Sequence, residues 1–127
     1  MEKTTDKITK LLEKILPENW EKVCFLFEVS SMSYSGDFYV FIKGDQTPQR
    51  SYDIIPEDKI LKVYDKIFAL LNDLKKSKGE FSHYLLEFDR TSCNEHFDYI
   101  DIDSEDEDND YSFFDYWNKW KAEYVGK

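Results

Sequence analysis

The stretch from Leu16 to Asp45, LPENWEKVCFLFEVSSMSYSGDFYVFIKGD, limits what this chain can fold into more than any other. Val23, Phe25, Phe27 and Val29 alternate onto one side of an extended run, while Cys24, Leu26 and Met32 fall largely on the other. A strand that is apolar on both sides cannot face water on either, so the run predicts a central strand covered above and below. Phe38, Val40 and Ile42 alternate with Tyr39 and Phe41 in a second run, and the SSMSYSGD between them holds the Ser and Gly of a hairpin connection. Two antiparallel strands are therefore expected at the heart of an antiparallel or mixed sheet.

The rest of the chain reads as cover for that pair. Ile8, Leu11, Leu12 and Ile15 stand at amphipathic-helix spacing, with Thr4 or Thr5 as N-cap and Pro17 as the stop. Trp20 opens the first strand as a packing residue. RSYDI, from Arg50 to Ile54, predicts a short third strand at an edge. Pro56 then begins the strongest helical signal, in which Ile60, Val63, Tyr64, Ile67, Leu71 and Leu74 belong to a broad apolar stripe. Lys75, Lys76 and Lys78 followed by Gly79 suit its C-terminus, where cations meet exposed carbonyls and Gly takes the left-handed cap.

Two further strands, over about 82–90 and 95–103, are joined by TSCN as a hairpin. In the second of them Phe97 and Tyr99 share a face with Asp101 and Asp103, while Ile100 and Ile102 point the other way. Near the end of the sequence, Phe113, Trp117, Trp120 and Tyr124 fall on one face of a short helix with Ser112 as N-cap, a stripe expected to dock on the core. The expected class is α+β: a sheet of four to five strands covered by two longer helices plus a short C-terminal aromatic helix, in the order α-β-β-(β)-α-β-β-α.

A length of 127 residues fits one domain, 1–127, able to bury a core without disulfides or metal. Aromatics at 17% argue against disorder even though 35% of residues are charged. Cys24 and Cys93 have neither the number nor the spacing of a disulfide framework or zinc site, and both read as buried free thiols. Lys7, Lys10, Glu13 and Lys14 interrupt any signal-peptide core at the N-terminus, and no apolar run reaches the roughly 18 residues of a membrane span, so a cytoplasmic location is expected.

The formal net charge is −10, and all of it is local. From Thr91 to Asn118 there is no Lys or Arg, while Glu95, Asp98, Asp101, Asp103, Glu105, Asp106, Glu107, Asp108, Asp110 and Asp115 supply ten acids. The remainder is balanced, with 17 acids and 17 bases. A local field of one sign steers partners of the other, so a basic protein partner is favoured and direct nucleic-acid binding disfavoured. The run near 104–110 reads as a solvated or partner-facing acidic loop.

Chemistry is less well signalled. A calcium-loop template started at Asp101, Asp103 or Asp106 never brings Gly to the sixth position and Glu to the twelfth, and no metal or cofactor is expected. His83 and His96 fall on neighbouring strands of one hairpin and share a face, a pair that more often satisfies local hydrogen bonds than does acid–base work. The sequence holds no phosphate loop, nucleophile elbow or CxxC pair. No enzyme is expected; a small hydrolase using His83 or His96 with a neighbouring carboxylate is the lesser alternative.

ILPENWEKVCFLFEVSS followed by GDFYVFIKGD resembles the start of the YezG-like immunity proteins, a family that includes antitoxins of staphylococcal secreted nucleases. The Ile55–Lys76 helix resembles the family's central helix, HFDYIDID from His96 to Asp103 its acidic strand, and Trp117 to Gly126 its aromatic and basic ending. Glu80, Phe81 and Ser82 stand where the family often carries Pro-Trp, and SEDEDND is unusually acidic. The resemblance implies an immunity protein that binds and neutralises a cognate secreted toxin domain, commonly a nuclease, without turnover. Charge, independently of any family motif, points to Asp101, Asp103, Glu105, Asp106, Glu107 and Asp108 as the toxin-facing carboxylates, with Tyr99 and Tyr111 as apolar anchors. An acidic adaptor for another basic protein shares the same charge and is the alternative.

Overall fold

The computed structural model describes residues 3–30, 33–100, 102 and 112–126. Its elements run α1 (Thr4–Glu13), β1 (Trp20–Val29), β2 (Tyr34–Ile42), β3 (Gln49–Arg50), α2 (Ser51–Ile54), α3 (Glu57–Lys78), β4 (His83–Asp89), β5 (Cys93–Asp98) and α4 (Phe113–Trp120). Helix α4 continues into a π-helical turn at Lys121–Val125. The strands form one five-stranded sheet in the order β3-β2-β1-β4-β5, antiparallel throughout. The architecture is the α+β layout that the sequence predicts.

Strand β1, buried and apolar on both sides, takes the middle of the sheet between β2 and β4. On one face Val23, Phe25, Phe27 and Val29 join Phe38, Val40, Tyr84, Leu86 and Phe88 beneath Ile8 and Leu12 of α1 and Ile60, Tyr64, Ile67 and Leu71 of α3. On the other face Cys24, Leu26, Tyr39 and Leu85 lie under Trp120 and Val125, with Phe113, Tyr116, Trp117 and Tyr124 packed around them. The aromatic stripe therefore docks on the core, and Ser112 caps α4 by accepting from the Asp115 amide. Gly36 permits the close approach of β2 to β1, since a Cβ there would lie 2.5 Å from the Phe27 ring. Trp20 is a core residue at the rim, edge-on to Phe88 and covered by the Arg90 guanidinium 4.2 Å from its ring centroid.

Four local expectations are corrected. The N-cap of α1 is Lys3 and carries no side-chain cap, with Thr4 and Thr5 already inside the helix. The third strand covers Gln49–Arg50 only, because Arg50 Nε (2.8 Å) and Ser51 Oγ (3.1 Å) both bond the buried Asp37 carboxylate and turn the chain off the edge into α2. Strand β5 begins at Cys93 and ends at Asp98, not 103, because its partner β4 begins at His83 and the Ile100 amide donates instead to Ser82 Oγ at 2.8 Å. Cys24 is buried as expected, and burial pushes its thiol up to about 12, but Cys93 is exposed on the edge strand.

The C-terminus of α3 is closed at Gly79, where its sequence foretells. Gly79 takes φ 86° and ψ −178°, a positive-φ but extended conformation open to glycine and not the left-handed helical cap expected, and its amide returns to the Lys75 carbonyl. No helix among the described residues is long and apolar enough to cross a membrane.

Candidate interaction surface

The described part of the acidic stretch centres on the exit from β5. Ser82 fixes that exit: its amide donates to the Asp98 carbonyl at 2.9 Å, and its hydroxyl oxygen takes the Ile100 amide. The chain beyond Asp98 is thereby held against the start of β4 without being a strand. Tyr99 follows, 59% exposed, with its hydroxyl donating to the Lys78 carbonyl at 2.6 Å. The last turn of a helix leaves carbonyls without intrahelical partners. Tyr99 satisfies one of these and so holds its ring beside Gly79 at a fixed place on the surface.

Between this exit and α4 lies a cleft of about 420 Å³, with Tyr99, Ile100 and Asp98 on one wall and Tyr116, Trp120 and Tyr124 on the other. A smaller hollow of about 160 Å³ adjoins it, sharing Leu85, His96, Trp120 and Tyr124 and adding Glu87 and Glu95. Asp98 and Glu123 outnumber Lys119 in the cleft, over an aromatic floor, whereas in the hollow Glu87 is paired with Lys22 and the Glu95 carboxylate turns to Thr5 and Tyr84. Glu123 and Tyr124 come from the π-helical turn, a widening often found at functional sites.

Asp98 holds the two walls together. Its carboxylate accepts from the Tyr116 hydroxyl and from His96 Nε2 at 2.8 Å. Burial alone would raise its pKa, but these hydrogen bonds and the nearby imidazoles prevail and lower it. Tyr116 also stacks on His83, ring centroids 3.8 Å apart.

His83 is fully buried, its Nδ1 2.8 Å from Ser82 Oγ and its Nε2 3.2 Å from a Glu28 carboxylate oxygen. The sequence places His83 and His96 on one face, and the register agrees, with His83 opposite Asp98 and His96 opposite Leu85. The Ser82–His83–Glu28 spacing is that of a nucleophile, a base and an orienting acid. Ser82, however, is 4% exposed, and its oxygen is already engaged by the Ile100 amide and the Asp98 carbonyl, so it works as a strut between β4 and the β5 exit. No cluster of His, Cys, Asp or Glu among the described residues could hold a metal ion.

Of the residues singled out by sequence, Tyr99 stands exposed at the cleft mouth. Asp101, Asp103, Glu105, Asp106, Glu107, Asp108 and Tyr111 lie outside the described residues. The acidic run is bracketed by Ile100 on one wall and by Ser112, which caps the helix of the other. Sequence reasoning missed Asp98 and Tyr116 as the tie across the cleft. Tyr116 sits four residues before Trp120, a helical spacing that could have signalled it.

A second exposed aromatic patch lies at the β2–β3 edge. Phe114, 67% exposed, stacks beside Trp117, and both border a hollow of about 250 Å³ with Arg50 and Asp37. Trp117 Nε1 donates to Asp37 at 3.3 Å, which ties α4 to this edge. A scan against protein-family models finds no match, and a search of curated proteins finds no relative.

Proposed function

We propose that this chain is an immunity protein that binds a cognate secreted toxin domain, a nuclease by the family resemblance, and neutralises it stoichiometrically within the cytoplasm. The observation that carries the reading is the coincidence of charge and anchor. All the net charge of −10 falls between Thr91 and Asn118, and the described part of that stretch presents an exposed, tethered Tyr99 at the mouth of an acidic cleft. A nuclease must attract polyanionic substrate, so its cleft is basic, and an acidic surface can occupy it by imitating substrate charge. Carboxylates speed encounter, while a rigid aromatic ring supplies affinity that charge in water does not.

Co-expression tests the reading. Cells producing any toxin domain found encoded beside this gene should survive only when this chain is produced with it, and they should lose that protection when Asp101, Asp103 and Glu105–Asp108 are all replaced by amides. Association with a basic protein but no protection from any encoded toxin would favour the adaptor reading. Hydrolysis of a substrate lost on His83 or His96 replacement would favour the hydrolase.

A further inference from the structure

The helical layer carries the opposite charge from the cleft. Residues 3–14 and 57–78, the spans of α1 and α3 with their caps, hold ten bases against six acids in a chain of net charge −10. Part of this surplus borders a groove of about 740 Å³ along the seam of the two helices. Lys7, Lys10, Leu11 and Lys14 line it from α1 at i, i+3, i+4 and i+7, and Lys66, Ala69, Leu70 and Asp73 line it from α3 at the same spacing. Leu11 and Leu70 are half-buried against the core and form an apolar floor, and the lysines are exposed around it.

The one acid in the groove, Asp73, is paired with Lys76 at 3.1 Å. Lys7, Lys14 and Lys66 take part in none of the ion pairs among the described residues. Lys62–Lys66 is a like-charge i, i+4 pair within α3, and such a pair lowers the stability of the helix. The occupant must therefore be acidic. It must also be apolar along one side to cover Leu11 and Leu70. A nucleic-acid backbone offers no apolar ridge, and the net negative charge of the chain repels both it and an anionic bilayer at long range.

We propose that the α1–α3 groove docks an acidic amphipathic helix of a partner protein. Its apolar stripe sits on Leu11 and Leu70, and its carboxylates face Lys7, Lys14 and Lys66. The proposal does not depend on the toxin reading, whose cleft shares no lining residue with this groove.

The test is an NMR titration of the full chain with a synthetic helical peptide carrying Leu at i, i+4 and i+7 and Glu on both flanks. The expected result is shift changes clustered on Lys7–Lys14 and Lys66–Asp73, and affinity weakened about tenfold or more in Lys7→Glu/Lys66→Glu. Both lysines are exposed, and circular dichroism checks that the variant folds. No clustered shifts, or equal affinity for the variant, would overturn the proposal. So would the same shifts produced by phosphatidylglycerol vesicles, by a DNA duplex or by raising the concentration of the chain alone while the peptide produces none.

Discussion

Tyr99 donates its hydroxyl to the Lys78 carbonyl at 2.6 Å, so one residue both closes the end of the long helix and displays an aromatic ring to solvent. The two roles separate by substitution. Tyr99→Phe removes the tether and should lower stability by about 1 kcal/mol or less. Toxin affinity should hardly change, because the ring stays. Tyr99→Ala should weaken toxin binding by about 2 kcal/mol, roughly thirtyfold. Calorimetry on both variants checks this, and equal losses for Phe and Ala would mean that the hydroxyl, not the ring, matters.

The acidic run should act on rate more than on lifetime. With Glu105, Asp106, Glu107 and Asp108 changed to amides, association with the toxin domain should slow about tenfold or more at low salt and show a shallower salt dependence, with dissociation little altered. Stopped-flow mixing at several salt concentrations measures it. An unchanged association rate would remove this run from the contact.

Asp37 is the other structural knot. It is buried, and it accepts from Arg50 Nε, Ser51 Oγ, Trp117 Nε1 and its neighbour's amide at Phe38. Asp37→Ala strands those donors and should destabilise the fold by about 2–4 kcal/mol. Arg50→Ala should cost less, since three donors remain. Urea denaturation of both variants gives the ordering, and the reverse ordering would mean that Asp37 is not the centre of the network.

The same knot explains what could not be read in advance. The central strand, the hairpin, the long helix and its end at Gly79 were legible because each is written in local periodicity and end signals. The third strand was not, since nothing local to RSYDI shows that Asp37, 13 residues before Arg50, will pull Arg50 and Ser51 off the edge. Strand β5 likewise continues to alternate past Asp98, but its length is set by where β4 begins. At the candidate site Tyr99 could be singled out by charge and aromatic content. The Asp98–Tyr116 tie could not, because it exists only once register has placed Asp98 opposite His83 and α4 has docked across it.

Asp98 should leave a mark on acid stability. Burial raises its pKa, but the Tyr116 and His96 hydrogen bonds outweigh that and hold the folded carboxyl below its ordinary 3.8. The unfolded chain then binds the proton more readily. The contribution is present above the unfolded value and is lost as pH falls through the folded one. Tyr116→Phe removes a donor and should flatten the fall in melting temperature between about pH 5 and pH 2. A slope unchanged from the parent would mean that Asp98 does not report on the tie.

The most direct measurement of the central claim is the nuclease activity of any toxin domain found encoded beside this gene, titrated with the purified chain. Activity should fall linearly and vanish near about one molar equivalent, as a tight stoichiometric inhibitor requires. Full activity at a large excess of this chain, against that toxin and every other encoded with it, would contradict the account.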